Sequence, residues 1–385
     1  MKLPTRSLTA SAVMAVAVFI PSARALVSLE DGKDHLFVDG TFNIGYDSNV
    51  FANAQSGGSM VYSGSLGVDF TRRAGWIGVN GSASLQYARY GSFREQNYVD
   101  PKFTAEFTKQ TGRTTGSLTF SIQRENRADL TVNTRDVSWN YDIGLNFQYP
   151  VIERYSISGS FDYNHADYQD QQLFVNLSTY TENLYLYYIL NEQRDLFLDY
   201  RTRYSDEATG IYDIDNSLSA GVSGKVYGPF NGALQLGYQQ RNPHGGPDSG
   251  QANDDLTATG SATWNMNRRM TLTANLSRDF ATTASAQSIE TTNAGLIFQD
   301  SFTARASSTL MAGVGQNKFL GSQGILESDG KRRVDNFIDL SAAYFYTIDQ
   351  HLKLSVNYTY YRSWSTLAYA EFPRHMITMG LASHW

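Results

Sequence analysis

Between Val137 and Tyr149 the odd positions carry Val, Trp, Tyr, Ile, Leu, Phe and Tyr, and the even positions Ser, Asn, Asp, Gly, Asn and Gln. A period of two places one apolar and one polar face on an extended strand. After a turn at 150–154 the alternation resumes, with Tyr155, Ile157, Phe161 and Tyr163 set against Ser156, Ser158, Ser160, Asp162 and Asn164. This predicts a β-hairpin. Its runs reach about eleven to thirteen residues, longer than a typical globular strand and matched to a tilted strand that crosses a bilayer.

The same alternation recurs from Leu36 to the last residue and predicts eighteen strands. Short connections at 72–75, 110–114, 150–154, 191–195, 227–231, 267–269, 299–302 and 347–351 alternate with longer polar loops, among them 48–59, 126–136, 242–254 and 318–333. This is the layout of an all-β, transmembrane, antiparallel up-and-down barrel with short periplasmic turns and longer extracellular loops. Closure removes exposed sheet edges, so the first and eighteenth strands are expected to pair. Aromatic residues near strand ends (Trp76, Tyr141, Tyr149, Tyr155, Tyr346, Tyr360) fit interfacial girdles. Glu182 falls on the outward parity between Tyr180 and Leu184. Either it lies at the membrane interface or a bulge shifts that strand.

The amino terminus reads differently. Lys2 and Arg6 precede an apolar run from Leu8 to Ile20 and an Ala23-Arg-Ala25 pattern, which predicts a signal peptide over residues 1–25. A short periplasmic segment, 26–35, then leads into a barrel over 36–385. Loss of Lys2, Arg6 and Arg24 leaves 28 bases against 37 acids, a net charge of −9, which disfavours nucleic acid as a partner. The composition agrees with a barrel. Of 385 residues 41% are hydrophobic, with 25 Tyr and 21 Phe, yet the mean hydropathy is −0.37, as expected when every strand keeps a wet face. The absence of Cys excludes disulfides and thiolate metal sites.

The run 45–51, Gly-Tyr-Asp-Ser-Asn-Val-Phe, follows the first strand and precedes a chain of aromatic-rich strands. In this position it resembles the β-barrel porin 2 family of bacterial outer-membrane proteins. Members are associated with exopolysaccharide production and export, so the resemblance implies a pore in that setting. It assigns no catalytic residue. Physically, Asp47, Ser48 and Asn49 are turn formers that bond their own backbone, and a hairpin rim is the simpler role for them. The terminal strand, ending on Trp385, resembles the carboxy-terminal signal read by barrel-assembly machinery, although Ser383 departs from that pattern. The partners implied are outer-membrane lipids, that machinery and a polysaccharide or small solutes.

Chemistry is sparse. The six His are scattered, no Gly-x-Ser-x-Gly occurs, and neither Asp213/Asp215 in the fifth loop nor Asp254/Asp255 after the sixth has the ligand series of a calcium loop. No enzyme activity, cofactor or metal is expected.

The lumen is more specific. Inward positions of the first seven strands supply Asp39, Asp69, Asp100, Glu106, Glu125, Asp142 and Asp162 against Lys102. Strands nine to seventeen supply Arg201, Arg203, Lys225, Arg241, Arg305 and Lys353, with Asp199, Asp279, Asp335 and Asp339. A pore lined this way has a lateral field, or simply balances its charges. If the 191–195 turn pairs Leu190 with Leu196, then Tyr185 faces Arg201, Tyr187 faces Asp199, Asn183 faces Arg203, and Arg203 and Arg241 lie near Ser217. Inward tyrosines beside Arg and Asp suit a sugar track; inward aromatics also simply fill space. The functional expectation is a carbohydrate conduit linked to exopolysaccharide export, with a general diffusion porin and a structural barrel of closed lumen as alternatives. The stripe Arg201, Arg203 and Arg241 is expected to favour anions.

Overall fold

A computed structural model describes residues 27–29, 34–55, 57–73, 75–207, 210–321 and 330–385; the expected signal peptide lies outside them. A short strand β1 (Val27–Leu29) is followed by β2 (Asp34–Asp47), β3 (Ser59–Arg72), β4 (Gly78–Tyr90), β5 (Tyr98–Lys109), β6 (Thr115–Asp129), β7 (Thr134–Ile152), β8 (Tyr155–Tyr168), β9 (Leu177–Asn191) and β10 (Arg194–Asp206). The second half comprises β11 (Tyr212–Tyr227), β12 (Phe230–His244), β13 (Asn253–Asn265), β14 (Met270–Thr282), β15 (Ser288–Asp300), β16 (Ala306–Phe319), β17 (Val334–Thr347), β18 (Leu352–Ser365) and β19 (Phe372–His384).

Each of β2–β19 pairs antiparallel with its sequence neighbours, and β19 pairs with β2 from Asp39↔His384 to Asp47↔Met376. Eighteen strands therefore close into one barrel, and the expected first-to-last pairing is the observed one. Trp385 and Val38 exchange backbone hydrogen bonds at 2.8 and 2.9 Å. Beyond that point the edge of β2 would be bare. β1 covers it, pairing Val27↔Leu36 through Leu29↔Asp34, so part of the expected 26–35 segment belongs to the sheet.

The parity is also as expected. Phe42, Leu66, Leu198, Leu236 and Met379 stand exposed on the outer face, with Leu66 at 71% exposure. A band of this kind is stable only against lipid, and a closed barrel is the β-structure that spans a bilayer with every backbone group paired. This is an outer-membrane barrel.

Turns of two to five residues, β1 and the end of β19 lie at the periplasmic end; loops of four to fourteen residues lie at the other. The 126–136 loop of the sequence reading shrinks to 130–133, because β6 and β7 continue their pairing outward to Asp129↔Thr134.

The extracellular loops meet across the mouth. Asn53 Nδ2 donates to Tyr369 Oη at 2.9 Å, and Asn133 Nδ2 to the Ala52 carbonyl at 3.2 Å. Arg333, the residue before β17, donates to the Thr131 carbonyl and Asn133 Oδ1 at 2.9 and 2.7 Å from the far side of the barrel. Ala52, Tyr361 and Phe372 form an apolar cluster with Ala128, Leu130 and Phe337 beneath these loops. The run 45–51 takes part as a rim. Asn49 donates to the Asn53 carbonyl at 2.8 Å, and Asp47 accepts from Asn49 N at 3.0 Å and holds Arg374 at 2.7 Å.

Candidate functional site

Of the side chains that parity offers to the lumen, nine channel-lining candidates, the six bases of the later strands with Tyr185, Tyr187 and Asp199, separate into three groups. Arg305 lies in the exposed turn between β15 and β16, outside any strand. Lys225 is half-buried near the periplasmic end of β11. Lys353 on β18 sets its Nζ 4.6 Å over the Phe345 ring. The remaining six, from β9, β10 and β12, lie on one stretch of inner wall.

Their mutual register differs from the hairpin arithmetic by two residues. Leu196 pairs with Tyr188, Asp199 with Tyr185 and Arg201 with Asn183, because the turn closes tightly at Asn191↔Arg194 and the ladder then slips by one residue between Arg194 and Asp195. The irregularity at the turn takes up the extra residue and moves every later pair. Tyr185 thus faces Asp199 and not Arg201, and Tyr187 faces Phe197.

The lower part of this wall is aromatic. Tyr185 and Tyr187 stack at 5.9 Å, and Phe197 lies 6.0 and 5.3 Å from them. The Phe197 ring rests over Gly221, where a Cβ would collide with the ring and with the Leu234 carbonyl. Only glycine lets the ring lie that close to the sheet. Beside this patch Gln235 Nε2 donates to the buried Asp199 carboxylate at 3.3 Å.

Above it the corrected register builds a lattice. Arg203 pairs with Asp215, and Asp215 with Arg241, so opposite charges alternate across β10, β11 and β12. Asp215 accepts from Arg203 at 2.6 Å and from Arg241 Nε and Nη2 at 2.6 and 2.7 Å. Arg241 is fully buried and also lies 3.3 Å from Asp213. Asp213 and Asp215 are therefore wall residues of β11 engaged by arginine, and not loop carboxylates.

The third acid comes from far along the chain. Asp279 of β14 takes both Arg201 guanidinium nitrogens at 2.8 and 2.7 Å, and Arg203 at 3.1 Å. This contact is possible because the end of β14 leaves the wall. The β13–β14 ladder stops at Ala258↔Arg278, whereas β12–β13 continues to Arg241↔Asn253 and β14–β15 to Thr282↔Ser288. Phe280 has outward parity yet is 1% exposed, since its outer face lies against the inner face of the β10–β12 wall, with the Arg241 guanidinium 5.5 Å from its ring.

Backbone carbonyls freed from the ladder must find donors. Arg203 Nη2 donates to Phe280 O at 2.5 Å and Arg241 Nη1 to Ala281 O at 2.8 Å. Ser288 Oγ donates to Asp213 at 2.8 Å, and the tip reaches the β8–β9 loop, where Val175 N donates to Ala284 O at 2.9 Å. The three arginines are thus the anchorage of an inward-folded hairpin, and do not present three free cations to the lumen. From sequence Asp279 is expected only as an inward counter-charge and Asp213 and Asp215 as loop carboxylates, so their grouping with Phe280 is missed. The correct register would have revealed Arg203–Asp215–Arg241, but nothing local marks Asp279 as their partner.

At the rim, in the β10–β11 loop, burial and neighbouring Asp213 push the Glu207 carboxyl up to about 7. Among the described residues no group of three or more His, Cys, Asp or Glu is arranged to hold a metal.

No family model matches the chain, so the resemblance carried by 45–51 rests on those residues alone. No curated protein matches it either. Among solved structures it is similar to OccK2 (OpdF) of Pseudomonas aeruginosa, at 9% identity over 91% of this chain and 97% of that one, with a TM-score of 0.48. It is similar also to P. aeruginosa OpdK with vanillate (11%, 91% and 99%, 0.47) and to OccAB3 of Acinetobacter baumannii (10%, 91% and 99%, 0.47). Identities this low leave the contents of the lumen to be read from this chain's own residues.

Proposed function

We propose that this barrel is an outer-membrane channel for carbohydrate, working in the export of an exopolysaccharide. The observation that carries the reading is the lumen patch in which Tyr185, Tyr187 and Phe197 adjoin Asp199 and Gln235. Aromatic faces pack against the C–H faces of pyranoses, and planar carboxylate and amide groups bond their hydroxyls. The resemblance of 45–51 supplies the exopolysaccharide setting. The terminal strand serves as the assembly signal.

Planar-bilayer recording tests this reading. Current through the channel should be blocked by oligosaccharides, and Tyr185→Ala should raise the half-blocking concentration roughly fivefold, as expected for loss of about 1 kcal/mol of ring contact. Block by saccharide that is indifferent to Tyr185, or no block at all, favours a general diffusion porin. The loops that meet across the mouth favour a second reading, a structural barrel of closed lumen. That reading predicts no conductance.

A further inference from the structure

We propose that the segment Asp279–Ser288, the extracellular tip of the β14–β15 hairpin, is a gate, and that the β10–β12 wall beneath it is a solute-reading surface uncovered when the gate lifts. The proposal rests on the channel reading above. Three observations carry it.

On its β13 side the segment has no ladder. It is held there by side-chain contacts from Arg201, Arg203, Arg241 and Asp213 and, at the tip, by one backbone bond from Val175 to Ala284, which packs against Tyr168 and Phe174. Breaking such contacts leaves the barrel closed, because β13 and β14 stay paired below the segment from Ala258↔Arg278 to Asn265↔Thr271. The segment can therefore move as a local unit.

The wall beneath also carries polar groups that bond no other protein group. Arg201 Nε, Gln239 Nε2, Asp199 Oδ1 and Ser219 Oγ are buried without a hydrogen-bond partner, and all four belong to the same stretch of wall. Buried polar groups are ordinarily satisfied, so these four can bond water or a solute that reaches the wall. Two donors, one carboxylate oxygen and a hydroxyl beside the Tyr185 and Phe197 rings make a surface for a polyhydroxylated solute.

Finally, the Asp279 carboxylate keeps 28% of its surface exposed, so the pair that locks the gate is reachable from the lumen. Arg203, by contrast, retains Asp215 as a partner when Asp279 leaves.

The chain has no cysteine, so a single engineered thiol reports opening. Ser217 is 5% exposed and pairs with both Arg201 and Gln239, directly under the lock. Ser217→Cys in the full-length barrel, reconstituted in phosphatidylcholine vesicles, is treated with a water-soluble methanethiosulfonate reagent. Modification should be slow in the otherwise intact chain and roughly tenfold faster when Asp279→Ala or the milder Asp279→Asn is added. Heat-modifiable electrophoretic mobility verifies that each variant is a folded barrel. Equal rates with and without the Asp279 substitutions overturn the gate. In bilayers, Asp279→Ala should also increase the open fraction. Full conductance in the parent chain, unchanged by either variant, overturns the gate and leaves the channel standing; no conductance in any variant overturns the channel and with it the gate.

Discussion

The two sides of the lumen are written with the same alternation and a similar density of inward charge, yet they are different surfaces. On the β2–β8 side Arg124 and Arg127 pair with Asp100 and Glu125, but Asp142, Asp162 and Glu106 lean on Asn164, Ser160 and Asn80, neutral partners that leave the charge in place. On the β10–β12 side, Arg201, Arg203 and Arg241 are matched by Asp213, Asp215 and Asp279 and covered by a folded-in strand end. Counting inward charges along the sequence does not give the field: it includes Arg305, which lies in a turn, and omits Arg127, which pairs with Glu125. What decides the field is whether a third segment brings counter-charges, and that depends on where a ladder stops.

The largest effect should come from breaking the covered wall at its centre. Asp215 is 1% exposed between two guanidinium groups. Removing one partner strands buried charge, so Asp215→Ala should destabilise the barrel by about 3–5 kcal/mol. Asp142→Asn on the open wall should cost no more than roughly 0.5 kcal/mol. Urea titration of folded barrels in detergent compares the two, and equal losses would mean that the lattice holds nothing.

A smaller effect sits at the rim of the covered wall. Glu207 has its carboxyl raised from an ordinary 4.5 to about 7, first by burial and then by Asp213. The unfolded chain ionises this group before the folded one does. Stability is therefore lost as pH rises through the window from 4.5 to 7, and Glu207→Gln removes that loss. At pH 8 the variant should be more stable than its parent by about 1–3 kcal/mol, with no difference at pH 4. A gain of equal size at both pH values would trace to packing and not to ionisation.

The open wall is sharpened by selectivity. With the arginines neutralised, the unmatched lumen charge is acidic, and the intact channel should prefer cations. Asp142→Asn with Asp162→Asn should move the reversal potential in a salt gradient toward zero. A parent chain that prefers anions would mean that the arginines face the pore free of Asp279, with the gate open at rest.

This contrast also marks how far the sequence could be read. Strand number, parity, the alternation of turns and loops and the pairing of the terminal strands all follow from local pattern, because a membrane strand must put apolar groups outside at every second residue. The register of β9 against β10 does not, since a tight turn at Asn191↔Arg194 and a one-residue slip at Arg194/Asp195 together shift it by two residues and so leave each strand's parity intact. The inward fold of β14 is hidden for a different reason. Phe280 satisfies the outward pattern perfectly as a sequence position, and it is buried only because the wall has doubled there.

The smallest effect concerns the outer face of the covered wall and settles its depth in the membrane. Glu182 is exposed on the outward parity, paired with Thr202, and β9 has no irregularity at that point. Of the two readings of this residue, the interfacial one fits. In register with it run Thr202, Asn216, Gln240 and Asp254, an outward polar row across β9–β13 above the apolar row of Leu184, Tyr200, Leu218, Tyr238 and Leu256. Polar groups aligned over five strands mark the upper edge of the lipid-facing band, where a carboxylate costs about 0–1 kcal/mol. Glu182→Leu should accordingly change stability by less than about 1 kcal/mol, whereas Leu184→Glu, one outward position deeper, should cost roughly 1–3 kcal/mol. Equilibrium refolding into phosphatidylcholine vesicles measures both. If Glu182→Leu stabilises the barrel as much as Leu184→Glu destabilises it, the polar row lies inside the hydrocarbon, and the hairpin folded behind this wall is seated deeper in the membrane than its exposed loops require.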